Sequence, residues 1–421
     1  MTSAAARAPR AGPSAWPGFT SAPAFRPAAR TAVAARGGIR EILTLGGAPG
    51  LISFAGALAA PELLPAAALG SAAAEVLEEE GAEALLEGTA EGHAPLREWV
   101  CDHLAVAAGL ELAPDQVLIT SGARQALDLL ARVLLEPGDT VLAGNPSDPG
   151  ALQAFAAQGA RVVGVPMDEY GIDPAALRRR LRAGRPRPKL LYLMPNFQNP
   201  TGACLPVDRR AALMALAAAA GLPVVEDDPY GRLRYGGTPL PALGAMPGAQ
   251  NWFHLGSSSQ IVAPGLQIGW LAASDRSLRG LLVAAKQAAD LHTSLFTQCV
   301  LWRYLRRPGA LSGQLERLRE AHGRRRDAMA AALARHLPDG CRWNVPEGGL
   351  FFWLRLPPRI DSAQLLRRAL AEQVAFLPGG PFWLGRAERA TLRLSFGHVP
   401  ADRIEEGVAR LGRLVARRMV T

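Results

Sequence analysis

The chain has 421 residues, enough for a large core and more than one domain. Its 49% hydrophobic and 20% charged residues are the balance of a soluble globular protein, and no apolar run is long enough to offer a membrane span. The net charge of +9 is carried almost entirely by arginine, and the densest basic run, Arg178 through Lys189, has neither aromatic platforms nor a helix-turn-helix beside it; solvated helix faces are expected there rather than nucleic-acid binding.

Residues 1–37 are rich in Ala, Pro, Arg and Ser, with no acidic residue before Glu41, so a disordered arm is expected. Residues 38–69 are expected to join a smaller C-terminal domain, and residues 70–305 to form a large one. Within the large domain, chain order predicts a helix over Leu96–Ala108, a strand over Val117–Thr120 and a helix over Arg124–Leu135. Strands follow at Thr140–Ala143 and Arg161–Val165, then a helix at Pro174–Ala183, a strand at Leu190–Leu193 and a helix at Val207–Ala220. Further strands are expected at Val224–Glu226, Trp252–Leu255 and Ile268–Ala272. This alternation predicts an α/β fold with a mostly parallel, seven-stranded sheet flanked by helices. After about Val300 the texture changes. A long helix over Ala310–His336 precedes strand-like segments at Arg342–Val345, Leu350–Leu356 and Thr391–Ser395, which predicts a small α+β domain over residues 306–421.

Cys101, Cys204, Cys299 and Cys341 are far apart and lack metal-ligand spacing, as expected of thiols in a reducing, cytoplasmic compartment. His93 and His254 have no Cys or Asp partner at ligand spacing, so no metal site is expected.

The motifs sit where strands end. Pro195-Asn196-Phe197-Gln198-Asn199-Pro200-Thr201-Gly202 follows one strand, Glu226-Asp227-Asp228-Pro229-Tyr230-Gly231 the next, and Gly256-Ser257-Ser258-Ser259-Gln260 another. With Ile52-Ser53-Phe54-Ala55-Gly56, Pro346-Glu347-Gly348-Gly349 and Leu392-Arg393-Leu394-Ser395-Phe396, the chain from about Ile39 onward resembles fold-type I, pyridoxal-phosphate (PLP) aminotransferases. The resemblance is nearest to the branch of aminoadipate-type aminotransferases and MocR-like effector domains. It implies PLP as cofactor, a carboxylate-bearing, amino-acid-like ligand and a dimer.

By resemblance, Asp227 lies under the pyridine nitrogen, with Tyr230 and Asn199 at the ring's phenolic oxygen. Arg393 clamps a substrate carboxylate, assisted by Asn199. Gly122, Ala123 and Arg124, at a strand-to-helix junction, belong to the phosphate cradle; Ser257 and Ser259 match cofactor-binding hydroxyls that flank the family's lysine. Each has a plainer alternative: a helix N-cap for Asp227, a strand-face ion pair for Arg393, a polar turn for the two serines.

Five positions depart from the family pattern. Gln260 stands where the family has its Schiff-base lysine, and an amide cannot make that bond. Gln267 replaces the phosphate-neutralising arginine, Ala123 a serine, Glu87 a tyrosine reaching across the dimer, and Asp148 an aromatic residue on the ring. Losing the arginine, the tyrosine and the serine costs about 4 kcal/mol or more, roughly a thousandfold in affinity. PLP is therefore expected from the fold but not as a covalent adduct, and the weakened cradle extends to the prospect that it is not bound at all. Lys189 and Lys286, the chain's only lysines, resemble additional family lysines rather than a displaced nucleophile.

Three functions follow. The first is a diverged enzyme or binder of a carboxylate-bearing small molecule, without a lysine-bound PLP. The second is a non-catalytic subunit paired with an active aminotransferase paralogue, in place of a homodimer. The third is a conventional PLP-dependent amino-acid aminotransferase.

Overall fold

The computed structural model describes residue 28 and residues 50–56, 59–184 and 186–420. The arm expected over 1–37 lies, apart from residue 28, outside the described residues. In chain order the elements begin with β1 (Ile52–Ser53), α1 (Ala66–Glu79), α2 (Ala94–Ala108), β2 (Val117–Thr120), α3 (Ala123–Leu134), β3 (Thr140–Asn145) and α4 (Pro149–Ala157). Then come β4 (Arg161–Asp168), β5 (Gly171–Ile172), α5 (Pro174–Arg182), β6 (Pro188–Leu193), α6 (Val207–Ala220), β7 (Val224–Asp227), β8 (Trp252–Ser257) and β9 (Gly269–Ala273). The C-terminal third holds α7 (Arg279–Asp290), α8 (Leu295–Leu305), α9 (Ala310–His336), β10 (Arg342–Trp343), β11 (Phe351–Arg355), α10 (Ser362–Ala371), β12 (Val374–Ala375), β13 (Leu377–Pro378), β14 (Thr391–Ser395) and α11 (Ala401–Val420).

The large sheet has the order β2-β9-β8-β7-β6-β3-β4-β5. The run from β8 to β4 is parallel, whereas β9 is antiparallel to both β2 and β8. Its strands are apolar on both faces because helices cover both, which is why they read as continuous hydrophobic runs. The sheet has eight strands rather than the expected seven. The extra one, β5, is a two-residue antiparallel edge that pairs Met167 with Ile172 and Asp168 with Gly171, too short to leave an alternating pattern.

Caps set several helix starts. Asp173 accepts from the amides of Ala175 and Ala176 ahead of Pro174, a favourable first-turn residue. α6 ends at Gly221, whose φ of 59° closes the left-handed cap.

A second sheet, antiparallel and ordered β10-β11-β14-β13, packs with α9, α10 and α11 around Phe352, Leu394, Phe396 and Leu411. The expected strand at Arg342–Val345 stops at Trp343; Val345 is 52% exposed. β1 pairs in parallel with β12, and Ser395 donates its amide to Phe54 O, so the segment around Ala55 is sewn to the second sheet. The chain thus runs back and forth between the two sheets. No helix among the described residues is long and apolar enough to cross a membrane.

Candidate active site

Ligands in open α/β sheets sit beyond the carboxyl ends of strands where the strand order reverses. Here that reversal falls between β3 and β6; the loops after β3 and β6 carry Asp148 and Asn199, and β7 and β8 end on Asp227 and Ser257. β14 of the second sheet brings Arg393 to the same place.

Asp227 ends β7 and is 9% exposed. Its Oδ2 accepts from the Tyr192 hydroxyl at 2.7 Å, while its Oδ1 is buried without a partner. Burial, with help from Asp148 and Asp228, pushes this carboxyl up to about 7, against the lowering effect of the Tyr192 hydrogen bond. It caps no helix; the N-cap in this region is Asp148, whose Oδ1 accepts from Ala151 N at 2.9 Å. The sequence motifs do not single out Tyr192, whose one signal is a hydroxyl among the buried leucines of β6.

Asn199 is spent at both ends. Its Nδ2 donates to Asp148 Oδ2 at 2.5 Å, and its Oδ1 accepts from Arg393 Nη1 at 2.7 Å. Arg393 is 4% exposed and also donates to Ala55 O at 2.7 Å, while its Nε is buried and unpartnered. Its guanidinium lies 4.1 Å from the centroid of the Phe351 ring. No carboxylate lies within salt-bridge distance of it among the described residues, so the strand-face ion pair is absent there. Burial lowers its pKa to about 10, opposed by Tyr230 and Asp148. Tyr230 is buried edge-on to Phe351, and burial raises its hydroxyl pKa.

The anion end is looser. Gly122, with φ of 81°, precedes α3, and the first-turn amides of Ala123, Arg124 and Gln125 have no side-chain cap. Gly269 lets β9 lie against this turn: a Cβ there would sit 2.7 Å from Ala123 N. Arg124 is exposed and makes no side-chain hydrogen bond; its guanidinium lies over Gly150, where a Cβ would be 1.9 Å from Nη1. Its charge reaches Asp227, Tyr192 and Tyr230. Gln267, also exposed, donates its Nε2 to Pro264 O at 2.9 Å and keeps its Oε1, not a donor, toward Gly122.

Ser257 donates to Ser259 Oγ at 3.0 Å, and Ser259 N donates back to Ser257 Oγ at 3.1 Å, so much of their capacity is used within the turn. Gln260 is half-buried, with no side-chain hydrogen bond among the described residues. Lys286 is fully buried, and its Nζ is held by Asp290, Gln125 and Thr293 at 2.8–3.1 Å, a bracing role at the base of α3. Lys189 pairs with Asp139 on the surface. Glu87 is exposed, outside this cluster. Among the described residues no group of three His, Cys, Asp or Glu side chains could hold a metal.

The geometry fits a ring nitrogen at Asp227 Oδ1, an anion at the free amides of α3, and a carboxylate at Arg393 Nε. It does not fit a covalent link at residue 260.

A family model described as aminotransferase class I and II matches residues 40–411. The 2-aminoadipate transaminase of Thermus thermophilus is 43% identical over 378 residues, covering 89% of this chain and 92% of that protein. Among solved structures, alpha-aminoadipate aminotransferase from Thermus thermophilus, complexed with N-(5'-phosphopyridoxyl)-L-leucine, superposes with a TM-score of 0.84 at 42% identity, covering 91% of this chain and 95% of that one. Kynurenine aminotransferase from Pyrococcus horikoshii, in complex with PMP, gives 0.85 at 38% identity, covering 90% and 94%. The chain belongs to the class I and II aminotransferase family.

Proposed function

We propose that this member of the class I and II aminotransferases takes the family's ligands, a PLP-type cofactor and an amino-acid-like carboxylate, and holds the cofactor without a covalent bond to the protein. The observation that carries this reading is the pair of buried, unspent atoms Asp227 Oδ1 and Arg393 Nε, which meet the two ends of such a ligand pair. When bound, PLP supplies the electron sink for amino-acid chemistry. Asp227 accepts from the ring nitrogen, Tyr230 offers its hydroxyl, and the amides of Ala123 and Arg124 take the phosphate. Arg124 supplies a positive charge that Gln267 does not. Arg393, positioned by Asn199 and Ala55 O, clamps the carboxylate.

Gln260 has no amine with which to carry a proton between carbons, and losing such a base costs about 10²–10⁴-fold in rate. The named relatives weigh toward a working PLP-dependent amino-acid aminotransferase more than toward a chain that has left PLP altogether. That supports cofactor and substrate class here, while Gln260 weighs against the lysine-linked route.

A second reading, a subunit paired with another copy or with an active paralogue, is favoured by the exposed Leu85, Leu86 and Leu291 at 65%, 57% and 49% beside Glu87.

The deciding experiment titrates purified protein with PLP and with PMP, following absorbance and calorimetry, against a Gln260→Lys/Gln267→Arg variant. The expected result is saturable binding of both by wild type without the absorbance band of a protein-linked cofactor, and that band appearing in the variant. Absence of binding to wild type would overturn the proposal and favour the paired-subunit reading.

A further inference from the structure

Strand alternation gives β7 and β8 two faces. Asp227 looks toward the candidate active site, so Glu226, Asp228 and His254, the register partner of Glu226, look the other way. Behind the sheet Asp228 and His254 border an open cleft lined also by Asn196, Arg232, Trp270 and Arg319. Asp227, Tyr230, Asn199 and Arg393 do not line it; Ser257 alone of the candidate cofactor residues borders it.

Three polar groups of this cleft are unspent. His254 is 2% exposed, and both its ring nitrogens are buried without a partner. Trp270, at 4%, has an unpartnered Nε1, and so does Arg232 at Nε. Arg319 donates its Nε to the Arg232 carbonyl at 3.0 Å, which brings two guanidinium groups to the same wall. Burial, then the charge of Arg319, lowers the Arg232 pKa. Neither arginine has a carboxylate within salt-bridge distance among the described residues. Asp228 is turned aside: its Oδ1 accepts from Asn196 at 3.0 Å and its Oδ2 folds over Gly231, where a Cβ would lie 2.2 Å away. Buried polar groups and paired like charges left in this state are costly without a ligand to meet them. The lining also includes His103 and Arg234, and an apolar wall of Leu104, Leu240 and Ile261 beside the indole of Trp270. A bare inorganic ion would leave those walls unused.

We propose that this cleft binds a small organic carboxylate, its head between Arg232 and Arg319 and its apolar body along Leu104, Leu240 and Trp270, with His254 as the inner hydrogen-bonding group. The site is separate from the one that carries the proposed function and does not depend on it.

Phenylacetate is a suitable probe, titrated calorimetrically into the full chain. Wild type is expected to bind it saturably, and Arg232→Gln/Arg319→Gln to weaken it about tenfold or more. Trp270→Phe, which keeps the aromatic packing, is expected to weaken it severalfold, so the test survives misfolding of the double variant. Arg393→Lys reports on the other carboxylate site and is expected to leave the affinity unchanged. The proposal is overturned by no saturable heat, by equal affinity in the double variant and Trp270→Phe, by loss confined to Arg393→Lys, or by inorganic phosphate binding as tightly as phenylacetate.

Discussion

The two ends of the candidate active site are built on different terms. At the carboxylate end Arg393, Asn199, Asp227 and Tyr230 are all less than a tenth exposed; Arg393 is tied to Asn199 and backbone, and Asp227 to Tyr192. At the anion end Arg124 and Gln267 are exposed, and each could be exchanged without opening a hole in the core. Of the residues that read as departures from the family pattern, Ala123 and Gln267 lie at the loose end, whereas Asp148 is bonded into the tight one through Asn199. Those that read as retained are structural as well as functional. A buried group is held in place by what its removal would do to the fold, so retention at the tight end says less about chemistry than change at the loose end does.

The largest effect should come from the tight end. Arg393→Ala leaves Asn199 Oδ1 and Ala55 O buried without a donor and should lower stability by about 3 kcal/mol. Urea denaturation measures it, and an unchanged midpoint would mean that the two ends do not differ in this way.

Next is a pH dependence. Asp227 titrates at about 7 in the fold against an ordinary 3.8, and Glu226 at about 8 against 4.5, burial being the first cause for both. The folded state therefore binds protons more tightly than the unfolded chain. The stability these groups contribute is full below about pH 4 and is lost as pH rises through 7 and 8. Glu226→Gln should flatten the upper part of that fall in a series of urea midpoints; a slope equal to wild type counts against it.

At the loose end, Gln267→Arg should tighten PMP binding about tenfold by adding a charge-assisted contact, with the urea midpoint unmoved. Smallest is Arg124→Ala, where an exposed guanidinium is worth about fivefold or less in PMP affinity. A loss beyond that range would show that Arg124 is more enclosed than its exposure implies.

Much of the fold was legible in the chain. Val207–Ala220 and Ala310–His336 are helices with the expected limits, because both carry an apolar stripe bounded by clear stops. β5 was not legible, since two residues carry no period. The positions of Asp227, Tyr230 and Arg393 at strand ends and on β14 followed from motif order. What they touch did not. That Asn199 is consumed on both sides and that Tyr192 holds Asp227 depend on contacts across 35 to 194 residues of sequence, which no local pattern records.

The contacts of Asp148, Asn199 and Arg393 form one unbroken line. It runs from Ala151 N through Asp148, Asn199 and Arg393 to Ala55 O, crossing α4, the loop after β6, β14 and the segment after β1. Four stretches remote in the chain thus share a single mechanical tie. A ligand that takes hold of Arg393 pulls on the first turn of α4 as well, and slower amide exchange at Ala151 would register its arrival without any reaction taking place.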